Sequence, residues 1–382
     1  MCELIIKLNT KIFEVKIINI KNLHLLTFFM NWKHSKYMQG RDIKPLHFKE
    51  DMNISSLIEN YENSCFEARN VAAGARLFEE MIDNNDAIWL GIAGAVIVGG
   101  IGGYVVDLMK KGFIDAVCST GAQVYHDLHF AFNLPVKQSL AFVDDNALKK
   151  DGTTRIYDIN IREKETLMAQ DKIMVEFGRQ CSLKKNFSSA DFNYELGKYV
   201  LETALNPEHS WIAQAARLKV PVFCDSLANH SIGMNLAKLY IEGKDISPNP
   251  SLDVLESAAI LYSTKTNGFF EFGGGGPKNF LQQMAPTISQ ILGINYEGAD
   301  RGIQITTAVE RDGGLSGCTF GEAVTWGKYK DAHKGLVQVW GEVSVVAPLI
   351  FWYALEKCKE RPLKKLMDRK KEFYERLIRD AR

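Results

Sequence analysis

Apolar runs of strand length in this 382-residue chain repeatedly break into a glycine- or hydroxyl-rich turn and then resume with helical spacing. Ala87-Ile-Trp-Leu-Gly-Ile92 leads into a glycine-rich stretch ending at Gly103, Ile114 to Ser119 into Thr120-Gly121, and Val220-Pro-Val-Phe-Cys224 into Asp225-Ser226. Ala258-Ala-Ile-Leu-Tyr262 reads as a further strand, four glycines follow Phe272, and Leu336-Val-Gln-Val-Trp340 reads as a last buried strand entering an apolar helix. A strand that is apolar throughout must be covered on both faces, which strand–loop–helix units achieve by packing helices on each side of a parallel sheet. The pattern predicts an α/β fold: a single doubly wound, mostly parallel sheet of Rossmann-like architecture in one domain, residues 40–382.

The turns are where such a sheet does chemistry. Gly273 to Gly276, framed by Phe272 and Pro277 and followed by Lys278-Asn279, can cradle a pyrophosphate with backbone amides at a helix start. The stretch from Gly91 to Gly103 is not a clean G-x-G-x-x-G and no acid closes a strand at the usual offset, so tight helix–sheet packing explains it equally well. Ser119-Thr-Gly121 offers hydroxyls and a turn. His126 and His129 lie three apart on a presumed helix, but no His/Cys cluster accompanies them, and a core histidine or a polar wall is the better reading than a metal. Residues 145–200 read as helices and loops covering the sheet, and the tail from Lys357 as a solvated charged helix.

Composition excludes other classes. Lysine plus arginine equal aspartate plus glutamate at 46 each, so there is no net field to draw nucleic acid or a membrane surface. Seven scattered cysteines without a C-x-x-C pair indicate neither a disulfide framework nor a zinc site and fit a reducing cytoplasm. Residues 1–39 form an extension of alternating Ile/Leu/Val and Lys/Asn. It reads as an edge hairpin, a disordered arm or an upstream start, with initiation at Met30 or Met38, and not as a signal peptide or membrane span.

The run Gly321-Glu-Ala-Val-Thr-Trp-Gly-Lys328-Tyr-Lys330 carries the chemistry. Glu322 precedes Trp326 by four residues and Lys328 by six, so one helical turn could gather a carboxylate, an indole and a primary amine. Desolvation beside an aromatic wall lowers a lysine's pKa and frees its nucleophilic amine, and a Trp face with a carboxylate suits a substrate ammonium. The competing reading is a solvated basic face after a core Trp.

Glu322-Ala-Val-Thr-Trp-Gly-Lys328, the upstream Ile305-Thr-Thr-Ala308 and Asp312-Gly-Gly-Leu-Ser-Gly317, and the helical segment Cys65 to Ile82 resemble, in order, motifs of the deoxyhypusine synthases. The resemblance spans roughly Gly40 to Leu355. It implies a homotetramer that uses NAD to move an aminobutyl group from spermidine, through a lysine imine, to an acceptor amine. That acceptor is a lysine of a translation initiation factor in the namesake enzymes and putrescine in the homospermidine synthases. On that resemblance Lys328 is the imine-forming lysine, and Glu322, Trp326, Lys278, Asn279 and His126 face the polyamine. Ser119, Thr120, Gly121, Gly274, Thr306, Thr307, Ala308, Asp312, Ser316 and Glu342 contact NAD. The chain departs from the family pattern at acids that anchor substrate ammonium groups: Tyr125-His126 stands for a pair of glutamates, Asn229, Met234 and Leu315 for acids, Asn279 for a histidine, and Glu342 for an aspartate. Burying an ammonium without a counter-charge is costly, so these changes imply a different or shorter donor, a free-polyamine synthase, or an inactive NAD-binding partner of an active paralogue.

Overall fold

The structure, a computed structural model, describes residues 6–8, 11–13, 35–48, 50–183, 185–226 and 228–382. The chain falls into two units, Met1–His47 and Phe48–Arg382. In the first, β1 (Ile6–Leu8) pairs antiparallel with β2 (Lys11–Phe13), Lys7 opposite Ile12. Met30, one of the candidate start sites, lies outside the described residues.

The second unit holds β3 (Ala87–Ile92), β4 (Ala116–Ser119), β5 (Val136–Gln138), β6 (Thr153–Ile156), β7 (Ile159–Arg162), β8 (Val222–Cys224), β9 (Asn267–Phe272), β10 (Arg301–Thr306) and β11 (Leu336–Trp340). Six of these form one sheet in the order β11-β10-β9-β3-β4-β8. All its pairings are parallel. The chain runs outward through β3, β4 and β8, returns beside β3 as β9, and runs outward the other way. That is the doubly wound Rossmann strand order, with the direction reversing between β3 and β9, and the crevice beyond the carboxyl ends of those strands is where such sheets bind ligands.

Side-chain alternation explains why both faces are covered. Ile88, Leu90, Ile92, Phe270, Phe272, Ile303 and Ile305 join one core that includes buried residues of helices Phe66–Asp83 and Val343–Lys357. Trp89, Ala116, Cys118, Phe223 and Phe269 join the other, with residues of helices Pro250–Ser263, Gly275–Pro286 and Leu366–Asp380. Parallel register places Trp89 opposite Phe269 and Leu90 opposite Phe270, so the large side chains stack in layers on each face.

Four local expectations are corrected. Ala258 to Tyr262 belongs to helix Pro250–Ser263, with Ala258 to Leu261 buried, and the helix is capped by the Asn249 side chain on the Ser251 amide with proline at its first turn; a short apolar run does not distinguish a buried helix from a strand. β11 is an edge strand and partly exposed. Residues 145–200 include β6 and β7, which with β5 make a separate antiparallel sheet in the order β5-β7-β6. The tail helix Leu366–Asp380 buries Leu366, Phe373 and Leu377 in the second core.

Candidate active site

Thr319 caps helix Phe320–Thr325 by accepting from the Glu322 amide at 3.1 Å, which sets Glu322 in its first turn. The helix ends at Trp326, and Gly327, at φ +70°, reverses the chain as a residue with a side chain rarely does. Lys328 is thereby sent inward, 7% exposed, while Trp326 stays 64% exposed and Glu322 faces solvent. The three residues therefore do not share one helical turn: the acid and the indole lie on the surface, and the amine sits beneath. The solvated-face reading fits Lys330, which is exposed and pairs with Asp300 at 2.7 Å, but not Lys328.

Lys328 Nζ donates to Asn279 Oδ1 at 3.1 Å. Burial pushes its pKa below the ordinary lysine range and the charge of Lys278 acts the same way, against opposing influences of Cys318, Glu271 and Glu322. Lys278 is buried and donates to Gln304 Oε1 at 3.0 Å and to the Cys318 carbonyl at 2.6 Å. Near both amines lies Glu271, fully buried one residue before the end of β9. It accepts from Gln282 Nε2 at 2.9 Å and from the Tyr329 hydroxyl at 3.3 Å, and burial raises it to about 7, opposed first by Lys278. Gln304 Nε2 ties this cluster to the glycine loop by donating to the Gly273 and Ser316 carbonyls at 2.7 and 2.9 Å.

The glycine loop is built to sit close to its neighbours. Gly273 and Gly275 have φ of +66° and +56°. A Cβ on Gly274 would lie 2.4 Å from Ser316 Cα, and one on Gly276 1.7 Å from Asp225 Oδ2. Ser316 Oγ accepts from the Gly275 amide at 3.0 Å, docking the 315–317 turn on the start of helix Gly275–Pro286. Asp225, just past β8, has a buried Oδ1 with no hydrogen-bond partner, and burial raises its carboxyl to about 6.

The remaining expected residues follow the strands' carboxyl ends, and two of them turn their polar groups elsewhere. Thr306 ends β10 and accepts from the Ala308 amide at 3.1 Å, Thr307 is exposed, and Asp312 accepts from the Gly314 amide at 2.8 Å in an exposed turn. Glu342 follows β11 and accepts from Ser344 Oγ. Thr120 caps helix Gly121–Ala131, and Gly121 lies so close to His230 that a Cβ would fall 1.9 Å from its ring. Ser119 is the first of these: its hydroxyl is buried and turned to the Ile92 and Thr120 carbonyls. His126 is the second, since its ring nitrogen meets His129 at 3.0 Å and none of its hydrogen bonds joins it to Lys328, Lys278 or Asn279. Glu271, Gln282, Gln304 and Tyr329 were not anticipated. For two of them the signal is a lone polar side chain inside an apolar strand, Glu271 in Phe269-Phe-Glu-Phe272 and Gln304 in Ile303-Gln-Ile305; Gln282 and Tyr329 carry none.

Among the described residues no group of three or more His, Cys, Asp or Glu could hold a metal, and the six described cysteines are free. A dinucleotide fits better. Positive-φ glycines at a helix start, the hydroxyls of Thr306 and Ser316, and open space beyond Gly99 and Gly275 suit phosphate and ribose groups at the β3/β9 reversal.

Fold and site thus define an α/β protein of Rossmann strand order with a buried lysine amine hydrogen-bonded to Asn279, in the helix that follows the glycine loop. The deoxyhypusine synthase family model matches residues 56–354, and the chain belongs to that family. It is 36% identical over 350 residues to a deoxyhypusine synthase-like protein of Nostoc sp. (strain PCC 7120), covering 89% of this chain and 91% of the other. It is 31% identical over 318 residues to a Methanosarcina acetivorans protein named "Probable deoxyhypusine synthase 2", covering 83% and 90%. A crystal structure assigned to the deoxyhypusine synthases, from Entamoeba histolytica, shares the fold with a TM-score of 0.55 at 16% identity, over 84% of this chain and all of that one.

Proposed function

We propose that this protein is an NAD-dependent transferase that moves an aminobutyl-type group from a polyamine such as spermidine, through an imine on Lys328, to an acceptor amine. Membership of the family supports a transferase of this type. The observation that carries the mechanism is Lys328 itself: a buried amine with a lowered pKa, held by a neutral acceptor, Asn279. A lysine whose charged form is disfavoured by burial presents more of its free, nucleophilic amine than an exposed lysine does.

NAD, when bound, supplies the oxidant that takes hydride from the donor's C–N bond and returns it to the product. Gly274, Thr306, Thr307, Ala308, Asp312, Ser316 and Glu342 are the residues on this edge that would hold it, with Thr120 and Gly121 at the adjoining strand end. Lys328 Nζ adds to the carbon of the oxidised donor's C=N bond and the C–N bond to the departing diamine breaks. The departing nitrogen takes up a proton, leaving the aminoalkyl group as an imine on Lys328. The acceptor amine then displaces Lys328, which regains its free amine. Asn279 fixes the direction of the Lys328 lone pair, and Trp326 with Glu322 at the surface meets the ammonium groups by cation–π attraction and charge.

The acceptor in the first reading is a lysine of a translation initiation factor. A free-polyamine synthase is the second reading, favoured by the sequence itself, because Asn229, Met234 and Leu315 provide no counter-charge for a long donor. An inactive NAD-binding partner of an active paralogue is the third and predicts no trapped adduct. The protein is proposed to work as a homotetramer in the cytoplasm; among the described residues no helix is long and apolar enough to cross a membrane. Purified protein incubated with NAD and, separately, spermidine, putrescine, agmatine and homospermidine should form NADH with one donor. Borohydride should leave that donor's aminoalkyl mass on Lys328, and Lys328→Arg should abolish the adduct. Measurable NAD binding without an adduct from any donor would sink the transferase reading.

A further inference from the structure

Two lysine amines and one carboxylate are buried together in the site. Lys278 is 2% exposed, Lys328 7% and Glu271 fully buried. Parallel register sets Glu271 directly beside Gln304, one strand spacing of about 4.8 Å away, and Gln304 Oε1 receives the Lys278 amine at 3.0 Å. Glu271 also meets Tyr329, the residue after Lys328. One buried carboxylate can neutralise only one of two buried ammonium groups, and a buried charge without a partner is strongly disfavoured. Their neighbours are unequal. Lys278 has two carbonyl-type acceptors and a place next to Glu271's strand neighbour, whereas Lys328 has the single amide oxygen of Asn279.

We infer that Glu271 is a positioning residue for the reaction: it serves as the counter-charge of Lys278, so that Lys328 is the amine left uncompensated and therefore free to act as nucleophile. This rests on the Lys328 reading above and adds to it the device that chooses between two adjacent lysines. Gln282 and the Tyr329 hydroxyl donate to Glu271 and hold the carboxylate in place. The other ionisable groups acting on Lys328 are Cys318 and Glu322, and Glu322 is exposed, where water screens it. Because the Glu271 carboxyl titrates at about 7, the pair is complete in mildly alkaline solution.

The test uses the whole chain without cofactor or polyamine. Propanal with cyanoborohydride alkylates free amines, and the rate at Lys328 is followed by peptide mass from pH 6 to 9. Lys278→Met strands the Glu271 carboxylate beside Lys328, which then becomes its partner. Alkylation of Lys328 near pH 8 should slow about tenfold, a rise of roughly one unit in its pKa. Adding Glu271→Gln removes the stranded charge and should restore the rate to within about threefold of the parent, and Lys278→Arg, which keeps the cation, should leave it there. A purely structural Glu271 predicts that the double variant is as slow as, or slower than, Lys278→Met, and that result overturns the inference. So does an unchanged rate in Lys278→Met. If Lys278→Met does not fold, the double variant carries the test: it leaves no buried unpaired charge, and a Lys328 rate about tenfold or more below the parent in the folded protein overturns the inference. A parent Lys328 no more reactive than exposed Lys330 would overturn the nucleophile reading itself, which separates the two failures.

Discussion

At the scale of single residues, Gly327 decides what Lys328 can be. Its positive φ turns the chain inward after Trp326, and any other residue there is strained. Gly327→Val should slow borohydride trapping at Lys328 by an order of magnitude or more while leaving NAD binding measurable; an unchanged trapping rate would show that the turn does not aim the amine. Met234 and Leu315 are 70% and 48% exposed, so acids placed there would not be buried. If these positions reject a long donor for want of charge, Met234→Asp with Leu315→Asp should raise spermidine turnover several-fold in a steady-state assay. Equal rates would assign donor choice to other residues. The Glu322, Trp326 and Lys328 motif was legible in the sequence, but its layering, two groups outside and one beneath, was not. Spacing along a helix says nothing about a glycine reversal at its end.

Among the elements, helix Gly121–Ala131 carries a pH dependence. His126 and His129 lie ring to ring at a centroid distance of 5.1 Å, and burial holds each near 4, against about 6.5 in the unfolded chain. The unfolded chain therefore takes up protons first. Stability from this pair is complete above about pH 6.5 and is lost as pH falls toward 4, by at most about 3 kcal/mol per imidazole. Urea unfolding midpoints at pH 7.5 and 5 should show the loss, and His129→Gln should flatten it; a parallel pH dependence in the variant would place the effect elsewhere. The tail helix Leu366–Asp380 gives a second measurement at this scale. Leu377 is fully buried in the second core, so Leu377→Ala should cost about 2–5 kcal/mol in denaturant unfolding, where a solvated tail would cost almost nothing. Charge dominates this helix in the sequence, which is why it read as solvated. The stripe Leu366, Phe373, Leu377 repeats at helical spacing beneath that charge, and only a partner helix, Pro250–Ser263, gives the stripe somewhere to go.

For the molecule as a whole, the sheet order brings together residues that the chain keeps far apart. Gly274, Lys278 and Asn279 follow β9, Thr306 ends β10 and Ser316 follows it, and Lys328 comes from the segment before β11. The residues after β9 and at the end of β10 meet because parallel strands all present their carboxyl ends to one edge, and Lys328 joins them through its hydrogen bond to Asn279. The predicted assembly belongs to this scale. Sedimentation velocity should give four chains, and a stable monomer that still turns over substrate would show that the site is complete within one chain.

By itself the sequence determined the alternation of apolar strand and covered helix, and with it a doubly wound parallel sheet, because fully apolar strands have no other way to bury both faces. It also determined the chemical types at the site, since Lys328, Trp326, Lys278 and the glycine run are local patterns. The tertiary structure alone decided the rest: that Ala258 to Tyr262 is helix, that His126 turns to His129, that Ser119 hides its hydroxyl, and that Glu271 lies near two lysines. These are outcomes of register and burial between segments remote in sequence. The energy of a buried charge depends on which partner packing places beside it.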